Sequence, residues 1–131
     1  MTRRYAKGTT VSVADSRTTI ARLIERFAVN NLATGVMAGG DFVMFDHDGQ
    51  TYRFMIEPED DEREKMRKWR CLVLYIRSAL VVIDEGVREF DTVFLADRVL
   101  PNGRSWGDYA KDTNNLPRTS AFPQLETDRE R

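Results

Sequence analysis

Basic side chains are the residues of this sequence whose spacing points most directly to chemistry. Grouped arginines and lysines neutralise the phosphates of nucleic acids, and arginine can bind one phosphate through two parallel N–H donors. Nine basic residues are candidate nucleic-acid-binding residues: Arg3, Arg4, Lys7, Arg22, Arg26, Lys65, Arg67, Lys68 and Arg70. Tyr5 and Trp69 lie close to them in sequence and have rings on which bases could stack.

An ordinary solvated helix surface accounts for the same basic residues. Glu62 and Glu64 alternate with the second group, and Glu25 precedes Arg26, so the charges are partly neutralised. The chain contains 20 basic and 21 acidic residues, a net charge of −1. Nucleic acid binding therefore requires a local patch, because the overall charge does not favour it.

Residues suited to catalysis or metal binding are few. His47 is the only histidine and lies in a turn sequence, which favours a solvated hairpin tip over an acid–base or metal site. The single cysteine, Cys71, is interpreted as a small buried apolar residue. The acidic run over residues 57–64 coincides with the expected start of a helix, where carboxylates are favoured in any case. We expect no catalytic residue, no metal and no cofactor.

The glycines in the first half of the chain do not form a phosphate-binding loop. Gly35, Gly39 and Gly40 match neither a Walker loop nor a dinucleotide fingerprint, and no helix pattern follows them. They are interpreted as turn and strand-bend residues.

The first basic group requires a strand and a helix to position it. Residues 9–13 are rich in β-branched side chains that alternate, which predicts a short strand. Ser16 is the expected N-cap of a helix over residues 17–29, whose apolar side chains recur at intervals of three and four residues. Asn30 and Asn31 tolerate the left-handed conformation and are expected to end this helix.

A β-rich stretch follows. Residues 33–38, 42–46 and 51–57 are predicted strands, and the last of them alternates apolar and polar side chains. Gly39-Gly40 and His47-Asp48-Gly49 separate them, and both sequences are typical of hairpin turns. The pattern predicts a three-stranded antiparallel meander.

The second basic group lies on a predicted long helix over residues 59–85. Its apolar stripe is broad, so we expect this helix to form the centre of the core, with Gly86 ending it. A short helix is predicted over residues 87–98 and a further helical turn over residues 105–111.

The opening of the chain resembles a family of short bacteriophage proteins. Those proteins begin with Tyr-Ala-x-Gly-Thr-x-Val-Ser-Val-x-x-Ser-Arg, and residues 5–17 match this pattern. Tyr52-Arg53-Phe54, Trp69-Arg70 and the Leu-Pro-Asn-Gly-Arg sequence at residues 100–104 are also similar, so the resemblance covers about residues 5–109. It implies a setting among early or DNA-metabolism genes of phages, and it carries over no catalytic residue.

The order of these segments predicts an α+β fold. We expect a small antiparallel three- to four-stranded sheet packed by a long central helix and one or two shorter helices. Residues 1–111 are expected to form a single domain. Residues 112–131 are expected to be a flexible C-terminal tail, because they contain few apolar side chains and many Thr, Asn, Pro, Ser and charged residues.

The expected function is that of a non-enzymatic phage accessory protein that binds nucleic acid, DNA or RNA, or assists DNA metabolism. The alternative is a protein-interaction module, either an inhibitor of a host factor or a homo-oligomeric component, because the long helix has more apolar surface than three short strands can cover. We expect no membrane partner, since Arg77 and Ser78 interrupt the most apolar run. The lone cysteine and the absence of an apolar stretch after the first residues predict a reducing, intracellular compartment. The resemblance to phage proteins implies that this compartment is the cytoplasm of the host cell.

Overall fold

One helix precedes a three-stranded meander, and a long helix and several short ones follow it. The computed structural model describes residues 11–112. Its elements are α1 (Val13–Glu25), β1 (Asn30–Met37), β2 (Gly40–His47), β3 (Gln50–Ile56), α2 (Glu62–Asp84), α3 (Phe90–Val93), a 3-10 helix (Leu95–Asp97) and α4 (Trp106–Lys111). The described strands form one antiparallel sheet in the order β1-β2-β3, which confirms the predicted α+β fold.

The two hairpin turns form where their sequences predict them. Asp48 and Gly49 have φ angles of 50° and 77°, and a type I′ turn requires positive values at both positions. Gly40 begins β2 with a φ of 125°, and a Cβ atom there would lie 1.9 Å from the carbonyl oxygen of Ile56. Glycine is therefore required at this position by both conformation and space.

The core lies between one face of the sheet and the two longer helices. Its apolar side chains with no exposed surface include Val43 and Phe45 of β2, Tyr52 of β3, Ile20 and Ile24 of α1, and Trp69, Val73 and Ile76 of α2. Phe90 and Phe94 close one end, where the Phe94 ring packs against Phe54 with the centroids 5.3 Å apart. The long helix is the centre of this core, as its broad apolar stripe predicts.

The start of α2 lies three residues beyond the predicted position. Asp61 is the N-cap, and its carboxylate accepts hydrogen bonds from the backbone N–H groups of Arg63 and Glu64 at 2.9 and 3.4 Å. Gly86, with a φ of 74°, follows the helix as predicted.

The predicted strand over residues 9–13 is wrong for the residues that the structure describes. Ser12 is the N-cap of α1 and accepts from the Asp15 N–H at 3.0 Å, whereas Ser16 is buried inside the helix. Val13 packs into the core, so the apolar pattern of the helix extends back to this β-branched residue. Tertiary packing has overridden its local strand preference. Residues 9 and 10 lie outside the described residues.

The predicted helix over residues 87–98 is divided into α3 and the 3-10 helix. Phe94 lies between them with non-helical φ and ψ angles of −103° and 23°, and its ring is buried in the core. The helical turn predicted over residues 105–111 is confirmed as α4, with Ser105 as its N-cap. Residues 113–131, nearly all of the predicted tail, lie outside the described residues. No helix in the described range has the length and apolar character to cross a membrane.

Candidate nucleic-acid interface

Helices α1 and α2 lie side by side and run in the same direction. Near their first turns, Arg17 Nη1 lies 3.9 Å and Lys65 Nζ 3.4 Å from the two carboxylate oxygens of Asp41, a buried residue of β2. At their C-terminal ends, Arg26 Nη2 lies 2.6 Å from Asp84 Oδ2. These contacts at both ends hold the two helices side by side, so basic side chains of both helices can contribute to one surface.

Several of the predicted cations are held by carboxylates. Lys68 Nζ lies 2.9 Å from Glu59 Oε2, and this hydrogen bond holds the pKa of the Glu59 carboxyl below its usual value. Arg67 Nη2 lies 2.8 Å from Glu64 Oε2, and that hydrogen bond raises the pKa of the guanidinium. Lys65 pairs with Asp41 and Arg26 pairs with Asp84. Four of the six predicted residues that the structure describes are therefore in ion pairs.

Four arginines on the same two helices differ from these paired cations. Arg22 and Arg70 belong to the predicted set, and Arg63 and Arg77 share their property. Within residues 11–112, none of the four side chains forms an ion pair or a hydrogen bond. Arg70 is half-buried and the other three are exposed. Their guanidinium groups keep all of their hydrogen-bond donors available to a ligand.

The unpaired arginines of α2 lie in a line, which we call the arginine row: Arg63, Arg70 and Arg77. They are seven residues apart, and this spacing returns to nearly the same face of a helix after two turns. At 1.5 Å per residue the row is about 21 Å long. Asp84 is the next residue at this spacing, and it contacts Arg26 of α1, so the row lies on the side of α2 that faces α1.

Arg22 extends this surface onto α1. It lies one turn before Arg26, and residues four apart are neighbours on a helix surface. The row and Arg22 therefore border the same seam between the helices. The sequence interpretation omitted Arg77, although its seven-residue spacing from Arg70 was a signal that could have identified it.

The predicted aromatic contribution from Trp69 is wrong. Its side chain has no exposed surface, and it packs in the core against the sheet, where a base cannot reach it. The helical period explains this outcome, since Trp69 falls on the apolar stripe of α2 beside the basic residues. Arg3, Arg4, Lys7 and Tyr5 lie outside the described residues, so their predicted roles stay predictions.

Two single residues also differ from their sequence interpretation. Cys71 is half-buried rather than buried, and its sulfur is close enough to Arg67 to raise the pKa of that guanidinium slightly further. His47 is half-buried, not at a solvated tip, and its ring packs against Phe90 at an angle of 33°, with the centroids 4.0 Å apart. Across residues 11–112, no three His, Cys, Asp or Glu side chains are grouped so that they could hold a metal ion.

Comparison with known proteins gives no match among family models, curated proteins or solved structures. The resemblance to short bacteriophage proteins therefore stays a prediction. The arrangement of its own side chains is therefore the basis for inferring a function. The division of its cations into paired and unpaired sets identifies which of them are available to bind nucleic acid.

Proposed function

We propose that this protein is a non-enzymatic accessory protein that binds the phosphate backbone of a nucleic acid through the arginine row and Arg22. One observation supports the proposal. The cations of α1 and α2 that lack a carboxylate partner within the described residues border one seam, whereas the other cations of these helices are in ion pairs.

Binding to an unpaired arginine is favoured for a physical reason. A paired guanidinium must give up its carboxylate before it can bind a phosphate, and it then gains little. An unpaired guanidinium exchanges only water and counterions, and the release of counterions from the nucleic acid drives binding. It can also form two parallel hydrogen bonds to one phosphate.

The setting proposed for this activity is a phage-infected cell, on the basis of the resemblance of residues 5–17 to short phage proteins. Contacts to phosphates alone carry no sequence information. We therefore expect binding that depends weakly on base sequence, in the host cytoplasm, to DNA or RNA.

Fluorescence anisotropy with labelled single-stranded DNA, duplex DNA and RNA tests the proposal. The measurements compare the intact protein with the triple variant Arg63→Ala/Arg70→Ala/Arg77→Ala over a series of salt concentrations. At low salt the variant should bind about 10- to 100-fold more weakly. The slope of log K against log salt should become shallower by about 2 to 3, because each lost phosphate contact removes about 0.7 to 0.9.

A second triple variant, Arg67→Ala/Lys68→Ala/Arg104→Ala, provides a matched control because it changes the net charge by the same amount and removes only cations that are paired with carboxylates away from the seam. Its affinity should remain within about threefold of that of the intact protein, since these cations are already paired. Equal losses in both variants would show that only net charge matters. No binding of any of the three polymers at low salt would exclude the nucleic-acid proposal.

A protein partner is the second candidate, and exposed apolar side chains of α2 favour it. Val81 is 60% and Tyr75 is 53% exposed, which is unusual for large apolar side chains on the central helix of a small domain. Such a partner could be a host protein, a phage protein or a second copy of this chain. Size-exclusion chromatography with light scattering tests the last of these, and a clean monomer over a range of concentrations would exclude the homo-oligomer.

A further inference from the structure

The second half of α2 is apolar on its outer face as well as on the face that packs in the core. From Cys71 to Ile83, Arg77 and Ser78 are the only interruptions in a run of aliphatic, aromatic and cysteine side chains. A helix that is apolar on all sides is normally covered on all sides. Val81 and Tyr75 are nevertheless more than half exposed, so the described residues leave the outer face uncovered.

Six residues lie in a line along this face, and we call them the outer stripe: Arg67, Cys71, Leu74, Ser78, Val81 and Glu85. Successive members are four, three, four, three and four residues apart, which is the alternation that presents one face of a helix to another helix. Ser78 lies about 200° around the helix axis from the buried Ile76. The outer stripe therefore points away from the core.

The outer stripe is complementary to itself, because its spacings are the same in both directions. Two copies of α2 that run in opposite directions, with their midpoints at residue 76, place Arg67 opposite Glu85, Cys71 opposite Val81, and Leu74 opposite Ser78. Each of these pairs then occurs twice, once on either side of a two-fold axis. This is the geometry of a dimer in which both copies use the same surface.

The charges at the two ends of the outer stripe favour this antiparallel arrangement. Antiparallel pairing brings Arg67 of one copy to Glu85 of the other, whereas parallel pairing would oppose like charges at both ends. Glu85 is exposed and forms no ion pair with any described residue. Arg70, which also has no carboxylate partner there, lies three residues beyond Arg67 and adds positive charge where Glu85 of the other copy arrives. Such complementarity fixes the register of an interface.

We propose that α2 pairs with α2 of a second copy of this chain, antiparallel and through the outer stripe. The apolar side chains of the stripe supply the affinity, and the charges at its ends fix the register. The stripe is about 27 Å long, and one helix pair of this length buries less than a standard interface. We therefore expect a dissociation constant of about 1–100 µM.

This dimer is independent of the nucleic-acid proposal. The arginine row lies beside the outer stripe on the α1 side of α2, and none of its three arginines belongs to the stripe. The variants below leave the whole row in place. Failure of the dimer and failure of nucleic acid binding are therefore separate results.

Disulfide formation in the full-length protein tests the register, because Cys71 is the only cysteine of the chain. In the proposed dimer the two Cys71 residues are about 15 Å apart along the helix axes, whereas a disulfide requires Cα atoms within about 7 Å. The intact protein should therefore not cross-link under mild oxidation. Val81→Cys should form a dimer in which Cys71 is joined to the new cysteine of the other copy, and peptide mass spectrometry identifies this link. Val36→Cys is the matched control, since Val36 is 73% exposed but lies on β1.

Two charge reversals test the ends of the stripe. Arg67→Glu and Glu85→Arg each place like charges together at both ends, and each variant alone should dimerise about tenfold more weakly in analytical ultracentrifugation. A one-to-one mixture of the two variants should recover the affinity of the intact protein, because opposite charges then meet at both ends. Lys111→Glu reverses an exposed charge on α4 and should leave the dimer unchanged.

Three results would overturn the proposal. The first is a monomer at every concentration up to about 1 mM, which would also be the result if another segment of the chain or an unrelated protein covers this face. The second is cross-linking of the intact protein or of Val36→Cys as extensive as that of Val81→Cys. The third is a mixture of the two charge variants that associates no better than either variant alone.

Discussion

The cations of α1 and α2 fall into two sets that the residue type alone does not separate. Arg67 has Glu64 three residues before it and binds it at 2.8 Å. Arg70 and Arg77 have only apolar or basic residues three and four positions away, so no carboxylate on the helix can reach them. The availability of a cation therefore depends on which residues lie one turn away, and clustering in sequence is a poor guide to it.

The largest effect should come from the paired cations that have a structural role. Asp41 is buried, and Arg17 and Lys65 are its partners. Replacement of both by methionine leaves a buried carboxylate without compensation. The free energy of unfolding, measured by urea denaturation, should fall by about 3–5 kcal/mol.

Asp41→Asn in the same background should recover part of this loss, because the uncompensated charge is removed. The matched control is Arg70→Met/Arg77→Met in the arginine row, which should change the stability by less than about 0.5 kcal/mol. If the row variant is destabilised as much as the Asp41 variant, the division into structural and available cations is wrong.

Acidic residues also differ in whether they have an ion-pair partner, and a half-buried acid without one should cause a pH effect of intermediate size. Asp97 is half-buried and forms no ion pair with a described residue, and burial raises its pKa to about 6. The folded state then holds a proton between about pH 4 and 6 that the unfolded state has released. Stability should therefore fall as the pH rises through this window.

Asp97→Asn should remove this fall and stabilise the protein at pH 7 by about 1–3 kcal/mol. Thermal unfolding at pH 4, 5, 6 and 7 measures the effect. Asp60→Asn serves as the control, because Asp60 is exposed. An unchanged pH profile in the Asp97 variant would show that this carboxyl is not the group responsible.

Local sequence patterns predicted the elements whose signals agree with their tertiary packing. The Asp48-Gly49 turn, the alternation along β3 and the broad stripe of α2 each have one structural solution, and each was predicted correctly. Residues 9–13 failed because their β-branched side chains favour a strand while Val13 packs as part of a helix. The preference of so short a segment is weaker than the burial of an apolar side chain.

The candidate site could be predicted only in part, because pairing is a tertiary property. The Arg67–Glu64 pair was readable from its spacing, but the contact of Arg26 with Asp84 joins residues 58 positions apart. The seven-residue spacing of the arginine row is visible in the sequence. That the row faces α1 can be seen only from the packing of the two helices.

The smallest predicted effect comes from a variant that frees a paired cation for binding. Arg26 and Asp84 are each about half exposed, so their ion pair should contribute no more than about 1 kcal/mol to stability. Asp84→Asn releases Arg26 at the end of the arginine row and removes a negative charge there. Nucleic acid binding by anisotropy at low salt should strengthen by about two- to fivefold, and the gain should disappear at about 1 M salt, where screening is strong. Asp48→Asn removes the same charge at the β2–β3 turn and should leave the affinity unchanged. An equal gain in both variants would mean that net charge alone governs binding, which would contradict the assignment of binding to the seam between α1 and α2.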